Sequence, residues 1–77
     1  METIITEQQM KDAFRTAYDF VGRHREVLRN PEDYAGTVDD IQRTAESCGG
    51  DRLAMRIIVA CYEYICEKSE AMCRTGG

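Results

Sequence analysis

The stretch Asp51-Arg52-Leu53-Ala54-Met55-Arg56-Ile57-Ile58-Val59-Ala60-Cys61-Tyr62-Glu63-Tyr64-Ile65-Cys66-Glu67-Lys68-Ser69-Glu70 decides the fold. It belongs to a segment of 25 residues, 51–75, without Gly or Pro. Its β-branched run Ile57-Ile58-Val59 suits a strand, but a strand is much shorter, so length decides for a helix. At about 100° per residue, Arg56, Glu63, Glu67, Glu70 and Arg74 fill a stripe roughly 60° wide, and only Lys68 lies apart from them. Apolar side chains surround almost everything else, and a helix that is apolar nearly all round is buried nearly all round. Two heptad-spaced seams run along it. One is Ala54, Ile58, Cys61, Ile65 and Met72; the other is Met55, Val59, Tyr62, Cys66 and Cys73. Asp51 reads as the cap of this helix, which is predicted to reach Arg74, leaving Thr75-Gly76-Gly77 as a frayed tail.

Working toward the N-terminus, Gly49-Gly50 reads as a stop and tight turn. Before it, Val38, Ile41, Ala45 and Cys48 form a narrow helical stripe. Gly36 reads as a break and Thr37 as the cap of this second helix, which ends near Ser47. Asn30-Pro31 starts a short connector with Glu32 and Asp33 at its head, pinned to the core by Tyr34. Thr6-Glu7-Gln8-Gln9 is a capping box, and the first helix is predicted to run from there to Arg29. Met10, Ala13, Phe14, Ala17, Tyr18, Phe20, Val21, Val27 and Leu28 would share its buried half.

The fold class expected is therefore all-α: a small three-helix bundle in an antiparallel arrangement, with a long, central C-terminal helix. The 77 residues make one domain, residues 1–77. A chain of this size buries roughly 60% of the surface its unfolded form exposes, enough for one small core. No run of about 18 apolar residues exists to span a membrane. The first residues lack the basic start and apolar stretch of a signal peptide, so a cytoplasmic location is expected.

Net charge is −4, unevenly spread: residues 31–51 carry net −5, while 1–30 are neutral and 52–77 carry net +1. An acidic middle does not attract a phosphate backbone. Glu32, Asp33, Asp39, Asp40 and Glu46 instead form a candidate surface for a basic partner, beside the plainer reading of a solvated face. The basic cluster at Arg23-His24-Arg25 and Arg29 is explained by the helix dipole.

No arrangement of residues has the pattern of an enzyme site, and no catalytic residue, cofactor or metal is expected. Cys48, Cys61, Cys66 and Cys73 contain no C-x-x-C pair, whereas zinc ligands usually come as close pairs; they read as buried free thiols, with Cys73 the reactive exception. His24 falls within the apolar arc of helix one. A base or pH switch there needs a partner, and the sequence places no carboxylate or serine beside it, although a helix-three cysteine could approach. A helix-turn-helix spacing, Ala45–Gly49–Met55 with Arg52 and Arg56 facing DNA, conflicts with an apolar recognition helix and an acidic preceding turn.

The residues from Asp33-Tyr34 through Arg52-Leu53-Ala54-Met55-Arg56-Ile57-Ile58-Val59-Ala60 to Tyr64 resemble small uncharacterised helical proteins of bacterial phages and mobile elements. The resemblance covers about two-thirds of the chain, and it implies a compact helical domain with an accessory role, such as binding and inhibiting a host protein. The function expected is a non-enzymatic protein-interaction module that self-associates. A homodimer should form through Met55, Val59, Tyr62, Cys66 and Cys73, because helices one and two cover only the other seam. The alternatives are a small DNA-binding regulator and an acidic inhibitor of a host defence nuclease. Nucleic acid and membrane are not expected partners.

Overall fold

The computed structural model describes the backbone of residues 2–76 and the side chains of residues 2–74. It contains three helices, α1 (Glu7–Arg23), α2 (Pro31–Ser47) and α3 (Arg52–Gly76), and no strand among the described residues. The expected all-α bundle is the observed fold, and the last helix is the longest. α3 takes in Thr75 and Gly76, two residues of the expected tail; Gly77 lies outside the described residues.

α1 begins as its sequence dictates. Thr6 Oγ1 accepts from the Gln9 amide at 3.1 Å, and the Thr6 amide donates to Gln9 Oε1 at 2.8 Å, so two amides of the first turn are satisfied reciprocally. The helix ends at Arg23, six residues before the expected Arg29. His24 leaves helical geometry (φ −123°, ψ 53°) while its amide still donates to Val21 O. The chain departs here because its next apolar anchor is reached by an irregular path. Leu28 is buried against α3, and its amide donates to the Ser69 hydroxyl at 2.9 Å. Val27 and Leu28 are therefore connector residues, not part of a helical face.

α2 starts seven residues earlier than expected, capped by Asn30 and not by Thr37. Asn30 caps it by accepting from the Asp33 amide at 3.0 Å, and Pro31 occupies the first turn, where its missing amide costs nothing. Gly36 does not break the helix. It is exposed and helical, and a glycine there costs only about 1 kcal/mol relative to alanine. Thr37 is not a cap: it is 1% exposed, and its hydroxyl donates to Asp33 O at 2.9 Å. At the other end Gly49 (φ 67°) and Gly50 (φ 78°) make the turn that the sequence indicates, in a region of backbone space that favours glycine. Asp51 Oδ1 then accepts from the Leu53 amide at 3.1 Å and caps α3.

Consecutive helices are antiparallel. Asp40 and Thr44 of α2 meet Arg23 and His24 at the end of α1, while Tyr34 near the start of α2 lies by Cys66 and Cys73 of α3. α1 and α3 consequently run parallel. The core sits where all three meet: Ala17, Phe20 and Ile58 at its centre, with Val21, Ile41, Met55, Ile57 and Ile65 packed around them. Ala13, Ala17 and Ala54, all nearly inaccessible, let α1 approach α3 closely. The molecule is long and thin, 54 × 23 × 15 Å, and a thin shape leaves much of its apolar surface in water.

Candidate functional site

The five acidic residues expected to form one surface divide into two sets. Glu32, Asp39 and Glu46 repeat every seven residues, so they share one line along α2, and all three are exposed. Asp33 and Asp40 point elsewhere. Asp33 Oδ2 accepts from the Arg29 amide at 2.9 Å and fixes the connector. Asp40 turns inward: its Oδ2 accepts from Arg23 Nε at 2.9 Å and meets His24 Nε2 at 2.5 Å. Partial burial acts to raise the Asp40 carboxyl, and the hydrogen bonds and charges of Arg23 and His24 outweigh it, holding the group below its ordinary value.

The expectation that His24 stands without a carboxylate partner is thus corrected. Asp40 and Thr44 lie one turn apart on the side of α2 that faces the end of α1. Thr44 accepts from Arg23 Nη2 at 3.3 Å and donates to Asp40 O at 2.7 Å. The imidazole also packs on the buried Phe20 ring, 4.7 Å between centroids. With the Thr44 hydroxyl already donating to backbone, this cluster clamps the end of α1 to α2.

The cysteines are free, and none is fully buried: Cys48, Cys61 and Cys66 are half-buried and Cys73 is exposed. Cys73 lies 3.8 Å from Leu28 O. Among the described residues no three His, Cys, Asp or Glu side chains are grouped to hold a metal ion. Among the described residues, too, no helix is long and apolar enough to cross a membrane.

Of the seam expected to be a dimer interface, Met55, Tyr62 and Cys66 are half-buried within the chain, and Val59 and Cys73 are exposed. Met55 packs against the core cluster. Tyr62 and Cys66 lie on the flank that the early start of α2 covers, with Tyr34 beside them. A hydrogen bond with Cys66, then burial, push the Tyr62 phenol up; burial, with Cys66 nearby, does the same for Tyr34. Val59, 43% exposed, and Cys73 are left at the outer edge.

The apolar surface that remains open is on the opposite flank of α3, where it meets α1. A groove of about 500 Å³ runs there, lined by Val21, Ile57, Ala60, Cys61, Tyr64 and Ile65, with Arg56 at its rim. Tyr64 is 58% exposed, and Lys68 Nζ lies 5.7 Å over its ring. Beside the groove, α1 carries Met10, Phe14 and Tyr18 at four-residue spacing, with Phe14 59% and Tyr18 79% exposed. These side chains lie on the edge of α1 that leads to Val21, so ridge and groove form one face. The expectation that Met10, Phe14 and Tyr18 lie on a buried half of α1 is therefore corrected: the buried line is Ala13, Ala17 and Phe20, and these three stand beside it with no neighbour to cover them. Arg52 and Arg56, needed by a helix-turn-helix reading, are exposed, but Arg56 borders this apolar groove. Comparison with protein-family models, with curated proteins and with solved structures found no match to this chain.

Proposed function

We propose that the chain is a non-enzymatic protein-interaction module whose working surface is the apolar α1/α3 face. The observation that carries this reading is an apolar groove bordered by the 58% exposed Tyr64, with Phe14 and Tyr18, each more than half exposed, on the arc of α1 that leads to the groove residue Val21. Monomeric soluble proteins rarely leave large contiguous apolar patches in water, and such patches mark interaction sites. The resemblance to phage and mobile-element proteins adds an accessory role, in which the partner is a host protein or the chain itself.

The test is retention on immobilised protein from a bacterial lysate supplemented with the free chain. Wild type should retain a stoichiometric polypeptide. Tyr64→Asp, at an exposed site, should retain none, and Glu46→Lys on the far side should retain it normally. Equal retention by Tyr64→Asp and wild type would remove the face from the function.

A second reading draws on the exposed line Glu32, Asp39 and Glu46: an acidic surface that occupies a basic, nucleic-acid-binding protein. Competition by duplex DNA, and loss of binding on reversing the three charges, would mark that reading instead.

A further inference from the structure

We infer that the occupant of the α1/α3 face is a second copy of this chain, held by twofold symmetry with the α1 ridge of each copy seated in the groove of the other. The inference rests on the interaction reading above and names its partner. Two observations support it.

The first is shape. Met10, Phe14 and Tyr18 project from the N-terminal part of α1, while the groove opens beside Val21 near the C-terminal end of the same helix. A face with a ridge toward one end and a groove toward the other is self-complementary. Rotation by half a turn about an axis in the contact plane, perpendicular to the helices, brings each ridge to the other copy's groove. The contact is isologous and closes at two copies. Ala60 and Cys61 line the groove, and their small side chains leave room for an aromatic ring.

The second is area. An aromatic side chain carries about 150–250 Å². At the exposures of Phe14, Tyr18 and Tyr64, with Met10 at 40% and the groove walls, each copy offers on the order of 500 Å². A pair then buries roughly 1,000 Å², the lower bound for a specific interface. The contact should be reversible and of moderate affinity.

Sedimentation equilibrium of the full chain at about 100 μM, where a micromolar dimer is mostly assembled, provides the test. Wild type should have the mass of a dimer. Phe14→Asp on the ridge and Ala60→Lys at the groove should each weaken the pair by a thousandfold or more, enough to make monomer predominate at this concentration, with an unchanged helical circular-dichroism spectrum. Mixed in equal amounts, these two monomeric variants should form a heterodimer. In it one contact is native and the other sets the introduced carboxylate of the ridge against the introduced ammonium of the groove, an outcome that ridge-against-ridge pairing does not give. Val59→Asp, on the α2 side of α3, should remain dimeric. A monomeric wild type, a mixture that stays monomeric, or dissociation by Val59→Asp with Ala60→Lys still paired would each overturn the inference. A monomeric wild type that still retains another protein through Tyr64 removes the second copy alone; loss of both removes the interaction reading as well.

Discussion

On one flank of α3, Met55, Tyr62 and Cys66 lie toward α2; on the other, Ile57, Ala60 and Tyr64 border a groove whose far wall is Val21 of α1. Both flanks are apolar, and a heptad reading gives them equal standing. What separates them is where the neighbouring helices begin and end. The seven residues Pro31–Thr37 lengthen α2 by about 10 Å, which carries Tyr34 along α3 as far as Cys66. α1 stops at Arg23, and the chain beyond it crosses α3 as an irregular connector. Coverage of an apolar seam is thus set by caps a long way off in sequence.

The sharpest way to break the comparison is through two phenylalanines six residues apart on α1. Phe20 is wholly buried in the core and Phe14 is 59% exposed on the ridge. Phe20→Ala should cost about 3–5 kcal/mol. A chain of this length has a total stability of roughly 4–12 kcal/mol, so the variant should be largely or marginally unfolded in a urea titration. Phe14→Ala, measured at low concentration where self-association is absent, should shift the midpoint by less than about 1 kcal/mol. Similar losses for both would mean that the ridge is part of the core.

Much of this architecture is legible in the chain. The capping box at Thr6, the double-glycine turn and the cap at Asp51 are local signals, and each has its expected structural counterpart; the apolar breadth of α3 is not matched by burial nearly all round, since Val59, Tyr64 and Met72 are 43%, 58% and 57% exposed. The errors occur where a local signal is outweighed by a distant contact. Gly36 reads as a break, yet Asn30 and Pro31 initiate a helix strong enough to carry it. Val27 and Leu28 continue the apolar arc of α1, yet Leu28 reaches α3 by an irregular path because Ser69, 41 residues away, receives its amide. The Asp40–His24 contact is hidden for the same reason. Adjacent acids diverge on a helix, as Asp39 and Asp40 do, but only the packed structure shows that Asp40 faces His24.

Ser69 offers the next test, because it holds the connector against α3. It is 2% exposed, and its hydroxyl is the acceptor for the buried Leu28 amide. Ser69→Ala should leave that amide without a partner, at a cost of about 1–3 kcal/mol. The loss should be visible as faster hydrogen exchange at Leu28. An unchanged exchange rate would show that the connector is held by its apolar side chains alone.

Asp40 joins α1 to α2 and gives the comparison a pH axis. Its carboxyl sits below its ordinary value in the folded chain, so the unfolded chain binds the proton more readily. The linked stability is therefore present in full above the unfolded value, about 3.9, and is lost as the pH falls through the lower folded value. Asp40→Asn should lose about 1 kcal/mol at pH 7, since Arg23 is half exposed and its contribution is screened. The variant should also show a shallower fall in stability below about pH 4 than wild type. Identical acid limbs for the two proteins would assign the acid sensitivity to other carboxylates.

The smallest effect separates the two accounts of where α2 begins. Gly36 is helical, and a methyl group built on it meets nothing within 4 Å. If the helix runs unbroken from Pro31, Gly36→Ala removes backbone freedom from the unfolded chain and adds no clash. The expected gain is about 0.5–1 kcal/mol, or roughly 3–6 °C in Tm for a domain of this size. Gly49→Ala supplies the opposite sign, because φ is +67° there and a side chain costs about 1 kcal/mol in that region. Should Gly36→Ala instead lower Tm, the helix would break at Gly36 as the isolated sequence suggests. Tyr34 would then be detached from α3, and Tyr62 and Cys66 would form a second open apolar flank.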